Sequence, residues 1–323
     1  MPITLAQLTS AIKELPEPPQ SRFLVLSMLE DPKYSLDQVA NTIAQDETLS
    51  LKILKLANSA QFSRNTKILT IKDALVLIGT RSIKVILYQD MLETSKMAIT
   101  PFFIELWKSA LFTALLTKSA AVMLRHNRPE LCFTAGMICD VGLLMINQFS
   151  GNLCSGLIKK VQTDGLSLPA TEDKIFGFNH QHVGVAVAQH WNLSNLHQNI
   201  IKYHHDPLNC PHQMMESDYA VMVAVHVANN LSPVHGPDGW KYIRRSAISA
   251  VNNCPYTYEE IVGTLQHSFE SINARVSQYA EMMFGAPAEE DGEAEEPEDG
   301  GENRGEETED SNEEAPPQAK ADT

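Results

Sequence analysis

The feature that most limits this chain's fold is the spacing of its apolar residues, which recur every three or four positions almost from end to end. Phe23, Leu26 and Leu29 follow that rule, as do Val39 with Ile43, and Ile53 with Leu56. Strict two-residue alternation with β-branched enrichment is absent, so an all-α array is predicted. Start signals agree with it. Ser35 stands three before Gln38, Thr70 three before Asp73, and Thr100 precedes Pro101. Breakers at Pro16 to Pro19, Pro32, Gly79, Pro129, Gly165, Pro169, Pro207 and Pro233 to Gly239 divide the pattern into roughly a dozen helices. The stretch from Thr257 to Phe284 reads as one long closing helix.

Composition separates a body from a tail. The formal charge of −15 is concentrated after residue 285, where 16 Asp or Glu residues face only Arg304 and Lys320. That segment has no Leu, Ile, Val, Met or aromatic residue, so nothing in it offsets the entropy of ordering. A disordered acidic tail over 286–323 is expected, serving solubility in preference to partner binding. A polar stretch near Glu93 to Thr100 suggests two packed helical subdomains, 1–95 and 96–285.

Several function classes are disfavoured at this stage. The five cysteines are odd in number and form no CxxC pair, which argues for a reducing, cytoplasmic setting over a disulfide framework. No basic leader and no run of 18 uncharged apolar residues suggests a membrane segment. Leu36 to Leu56 reads as helix, turn, helix, yet offers only Lys52 and Lys55 on a nearly neutral body. Helix packing is therefore expected there, not DNA binding. The basic clusters Lys159-Lys160 and Lys241 with Arg244-Arg245 are too small to imply nucleic acid. Neither a GxxxxGK[ST] phosphate loop nor a GxSxG turn occurs.

Ordered motifs carry more information. Leu15-Pro16, Asp31-Pro32, Leu51 to Ser59 (LKILKLANS) and Ile71 to Gly79 (IKDALVLIG) are followed by Ala135 to Gly142 (AGMICDVG). Gly177 to Gly184 (GFNHQHVG), Trp191-Asn192-Leu193 and Tyr203 to Pro207 (YHHDP) complete the series. In this order they resemble the HDOD family, the regulatory relatives of HD-type metal-dependent phosphohydrolases. The resemblance covers nearly the whole body and makes the second subdomain HD-like.

HD enzymes hold a divalent metal through a first His, a His-Asp pair and a final Asp. At the matching positions this chain has Ser109, then Cys139 with Asp140, then Asn229, and Leu143 replaces a lysine that commonly follows. One carboxylate and a neutral thiol suit Mg or Mn poorly. The resemblance thus implies a non-catalytic signalling output or adaptor module with a degenerate pocket, no cofactor, a regulatory protein partner, and neither nucleic-acid nor membrane binding. A nucleotide-binding sensor or an atypical metal-dependent phosphohydrolase are the rival readings, and a small-molecule ligand in the pocket is allowed for. Of the many histidines, His180, His204 and His205 match family positions and are candidate pocket residues; hydrogen bonding between helices is expected of the others. Cys210 with His212 reads as a loop coincidence. In the LANS element (Leu56, Ala57, Asn58, Ser59), Asn58 is expected to end a helix, where its tolerance of left-handed backbone helps, and to tie down the following loop. A place on the partner surface is the alternative for it.

Overall fold

The computed structural model describes residues 4–59, 62, 67–150, 153–164, 166–211 and 214–285. The expected acidic tail and His212 lie outside the described residues. Seventeen α-helices and three short 3₁₀ turns make up the described chain, with no strand among its residues.

Five helices build a small apolar cluster: α2 (Gln20–Glu30), α3 (Leu36–Ala44), α4 (Glu47–Ala57), α5 (Ile71–Ile78) and α6 (Thr80–Thr94). The expected caps are in place, with a reciprocal capping box between Ser35 and Gln38 and an N-cap bond from the Asp73 amide to Thr70. Asn58 closes α4 at φ −96°, so its left-handed tolerance is not used. Its side chain instead bridges chain segments. The amide group donates to the Leu54 and Ile68 carbonyls at 2.8 and 2.9 Å, and its oxygen accepts from the Ile68 N–H at 2.9 Å. Leu56 packs against this cluster, Ala57 is buried within it, and the Ser59 hydroxyl is a buried group with no partner. Lys52 is held by Asp90 and Glu93 at 2.5 and 2.6 Å, and Asp90 also accepts from Arg22 at 2.6 Å. The helix-turn-helix cation is therefore engaged in an internal ion network.

The larger apolar cluster holds the rest, and it recruits Leu8 and Ile12 from the first helix, α1 (Leu5–Lys13). The helix α6 faces both clusters: Ile83, Ile86 and Leu87 point into the small one, and Val85, Tyr88 and Leu92 into the large one. At the centre of the large cluster lie α7 (Pro101–Met123), α8 (Pro129–Ile138), α9 (Val141–Ser150) and α14 (Glu216–Asn230). The run Pro129–Ser150 is long and apolar enough to cross a membrane by composition, but 89% of its apolar window is buried among neighbouring helices. Around them pack α10 (Leu153–Asp164), α11 (Leu168–Phe176), α12 (His180–His190), α13 (Asn195–Tyr203) and the five-residue α15 (Arg245–Ser249).

The single closing helix expected over Thr257 to Phe284 is in fact two, α16 (Tyr258–His267) and α17 (Phe269–Phe284). At their junction His267 Nδ1 donates to the Gly263 carbonyl at 2.5 Å and the Ser268 hydroxyl to the Thr264 carbonyl at 3.2 Å. Side-chain bonds of this kind compete with the helix ladder and bend it. Phe284 still reaches the core, edge-on to Trp107 at 5.0 Å.

Candidate metal centre

The site assembles where α8 gives way to α9, at Cys139 and Asp140, both buried. Close approach of α9 to α12 brings in the first histidine. A Cβ on Gly142 would stand 1.9 Å from the His180 carbonyl oxygen, so only glycine lets the two helices meet this closely. Gly177, at φ +76°, ends α11 in the left-handed region, and Asn179 then caps α12 through the Gln181 and His182 amides. That local sequence, GFNHQHVG, fixes His180 as the first residue of α12. His204 and His205 follow directly on α13, and Asn229 comes from the end of α14.

Asp140, His180, His204 and His205 each offer one donor atom, and the four atoms lie within 4.8 Å of one another. His204 Nε2 is 3.2 Å and His180 Nε2 3.4 Å from Asp140 Oδ1. His180 Nε2 lies 3.4 Å from His204 Nε2 and 3.0 Å from His205 Nε2.

The far ring nitrogens settle which atoms carry protons. His204 Nδ1 faces only the carbonyls of Ile200 and Ile201, at 3.2 and 3.0 Å, and must donate to them. His180 Nδ1 is 2.6 Å from the buried Glu172 carboxylate and donates likewise. In the neutral rings both Nε2 lone pairs then point at each other and at Asp140 Oδ1, which has no hydrogen-bond partner among the described residues. Such an arrangement needs positive charge at its centre, a proton or a cation.

The donors fit a cation. Three imidazoles and one carboxylate suit zinc or another first-row transition metal better than magnesium. Four of the six separations, 3.0 to 3.4 Å, are near the ~3.3 Å edge of a tetrahedral centre with metal–nitrogen bonds of about 2.0–2.1 Å, and the other two, from His205 to Asp140 and His204, lie within 4.8 Å. Glu172 behind His180 and the backbone carbonyls behind His204 orient the rings as partners of metal-bound histidines do.

The other face of Asp140 is closed. The Asn229 amide group donates to Asp140 Oδ2 and approaches Cys139 Sγ at 3.6 Å, while its own oxygen takes the His235 Nε2 proton at 2.9 Å. The Cys139 thiol bonds to the Gly136 carbonyl at 3.3 Å, and burial pushes its pKa well up, so it stays protonated. Burial works to raise the Asp140 pKa too, but His204, His180 and His235 outweigh it and hold the carboxyl below its usual range.

The structure thus brings together Cys139, Asp140, His180, His204, His205 and Asn229 from the sequence candidates. Ser109 stands apart. Its hydroxyl is buried without a partner, and it lines a cleft of 170 Å³ toward Val276 and Pro233. The donor set is richer than one carboxylate and a thiol, because His180 and His204 stand within 3.4 Å of the same oxygen and His205 joins them through His180. Glu172, His226 and His235 were not among the sequence candidates. Of the histidines outside the cluster, His190 joins distant segments through the Leu15 carbonyl at 3.0 Å, whereas His182 serves the cap of its own helix, accepting from the Asn179 amide at 3.2 Å. In front of His205 and His235 opens a polar cleft of about 1040 Å³, with Arg244, Arg245 and Lys241 on its walls and Trp240 and Tyr258 beside them.

The residues of this Asp-centred histidine site come from the motifs Ala135 to Gly142, Gly177 to Gly184 and Tyr203 to Pro207. The HDOD domain profile matches residues 15–207, and the chain belongs to the HDOD family. A crystal structure of an HDOD domain protein of unknown function from Geobacter sulfurreducens is similar, with 25% identity and a TM-score of 0.60. The match covers 85% of this chain and 96% of that one. A putative signal transduction protein from Marinobacter aquaeolei VT8 gives a TM-score of 0.63 at 14% identity, over 84% of this chain and 60% of its own. A putative phosphohydrolase from Shewanella amazonensis SB2B gives 0.55 at 19% identity, over 85% and 97%. An uncharacterized protein of Treponema pallidum (strain Nichols) is 25% identical over 281 residues. Those are 82% of this chain but 52% of the relative, so the chain spans about half that protein's length.

Proposed function

We propose that this chain is a non-hydrolytic signal-transduction module of the cytoplasm that acts by binding a regulatory protein partner, its HD-derived site holding at most one cation in a structural role. The observation that carries the reading is the Asn229 amide on Asp140 Oδ2. An amide N–H cannot ligate a cation, so a second metal has no place beside Asp140. The four donors of the remaining set are enough to fill a tetrahedral centre, and a closed site is the structural kind; reactive centres keep a position for water. The Marinobacter relative, described as a putative signal transduction protein, points the same way.

A second reading has its own support. The cleft before His205 carries two aromatic rings and three cationic side chains, Lys241 and Arg245 paired with Asp238 and Glu259 and Arg244 standing 4.0 Å from Asp206. A phosphate-bearing ligand such as a nucleotide would bind this wall by displacing those carboxylates. Calorimetric titration with nucleotides separates the two, since a pure adaptor gives no heat.

The test is a panel of nucleotides, cyclic dinucleotides and aryl phosphoesters, offered to purified protein with Mg, Mn, Fe(II) or Zn. No turnover above the buffer rate is expected. Turnover that disappears in Asp140→Ala would overturn the proposal.

A further inference from the structure

A second cavity, of about 380 Å³, lies at the edge of the large apolar cluster, where α2 and α6 face α8 and the turn after α12. Its wall is mostly carbon: Phe23 and Leu26 of α2, Met91 of α6, Phe133 and Met137 of α8, and Leu196 of α13. Leu26, on the wall, packs against both clusters, so an occupant that presses on it acts on a residue shared by the two. The mouth is formed by Asn192 and Ser194, both exposed, in the turn after α12.

Four residues of this wall each carry a buried polar atom with no hydrogen-bond partner: Glu30 Oε1, Tyr88 Oη, Trp191 Nε1 and His197 Nε2. Tyr88 and Trp191 are each 2% exposed and Glu30 is 8% exposed. An unmade bond of this kind costs roughly 1–3 kcal/mol, so gathering four around one space is costly unless something in that space receives them. Water can answer polar atoms, but it needs two to four partners each, and a volume of about a dozen waters (~30 Å³ apiece) is walled chiefly by hydrocarbon.

Charge narrows the occupant. The formal charges at the wall are Glu30, Lys84 and Arg128, and Lys84 is held by Glu130, to its carbonyl at 2.8 Å and its carboxylate at 3.2 Å. Glu130 also pairs with Lys118, and Arg128 stands exposed at the rim, so the buried part of the wall offers no unpaired cation. Burial raises the Glu30 pKa, lowers that of Lys84, and pushes His197 down to about 4, all toward uncharged forms. Inside the cavity, away from the exposed Arg128, an ion of either sign would lose its water without gaining a free counter-charge, since Lys84 is already paired and Glu30 is pushed toward its neutral form.

We propose that this cavity is an input site for a small, uncharged, mainly apolar ligand carrying one or two hydrogen-bonding atoms, met by Tyr88, Trp191, His197 and Glu30. The inference does not depend on whether Asp140 and the histidines hold a metal. Such a ligand would bridge α2 and α6 to α8 and the Trp191 turn, and so couple the smaller cluster to the larger.

The full chain is titrated with N-phenyl-1-naphthylamine, an uncharged two-ring amine whose emission rises in apolar surroundings. Saturable binding of one probe per chain is expected, with energy transfer from tryptophan and a micromolar dissociation constant. Leu26→Trp, which places an indole in the cavity, weakens binding by at least about tenfold. Met137→Phe fills the same space from the opposite wall and serves should Leu26→Trp fail to fold, as judged by its melting transition. The proposal is overturned by non-saturable binding in the parent protein, which is surface adsorption or a water-filled cavity. Unchanged affinity in either folded variant overturns it equally.

Discussion

Replacing Asn58 by alanine isolates what the LANS element does. The side chain makes three hydrogen bonds, two to Ile68 and one to Leu54, that join the end of α4 to the segment leading into α5. Alanine removes all three. At ~1 kcal/mol net for each, and with the groups only partly buried, the expected loss is roughly 2–3 kcal/mol. Some 2–4 °C per kcal/mol for a body of this size gives a fall of about 5–10 °C in the melting temperature by calorimetry. Asn58→Asp keeps the acceptor for the Ile68 N–H but loses both donors, and should fall between the parent and alanine. A melting temperature within ~1 °C of the parent, together with lost partner binding, would refute the structural reasoning and place Asn58 on the functional surface.

Three further outcomes are expected. Gly142→Ala sets a Cβ against the His180 carbonyl, where backbone cannot yield cheaply; a loss on the order of 2–3 kcal/mol by chemical denaturation is expected. His197 faces Lys84 and Arg128, and its pKa is lowered by burial from 6.5 to about 4. Its contribution is therefore fully present above pH 6.5 and lost as pH falls toward 4. His197→Gln should flatten the stability profile in that window, by roughly 2 kcal/mol at about pH 5. Tyr88→Phe removes a buried hydroxyl without a partner, and a melting temperature higher by ~2–4 °C in the unliganded protein is the expected sign.

Local features were readable from the sequence because their causes are local. The Ser35 and Thr70 caps and the helical spacing of Ile71 to Ile78 depend on residues within one turn. The break at Ser268 escaped the reading because the apolar spacing runs through it, and only the bonds to Gly263 and Thr264 reveal it. The motifs flagged Asp140, His180, His204 and His205, but not that they converge. Convergence depends on Gly142 letting α9 meet α12, a contact between positions 38 apart. Glu172 and His235 carried no motif, and their roles follow from His180 and Asn229 being folded against them. Ser109, placed by the motif order with the ligand positions, makes no hydrogen bond to the cluster and lines a different cleft.

The account turns on Asn229 closing one side of Asp140. Metal content measures this directly: protein refolded separately with excess Zn, Mn or Fe(II), desalted, and counted by inductively coupled plasma mass spectrometry. No more than one bound ion per chain is expected, any bound ion being lost in Asp140→Ala and in the double variant His180→Ala/His204→Ala. Two ions per chain, both dependent on Asp140, would contradict it.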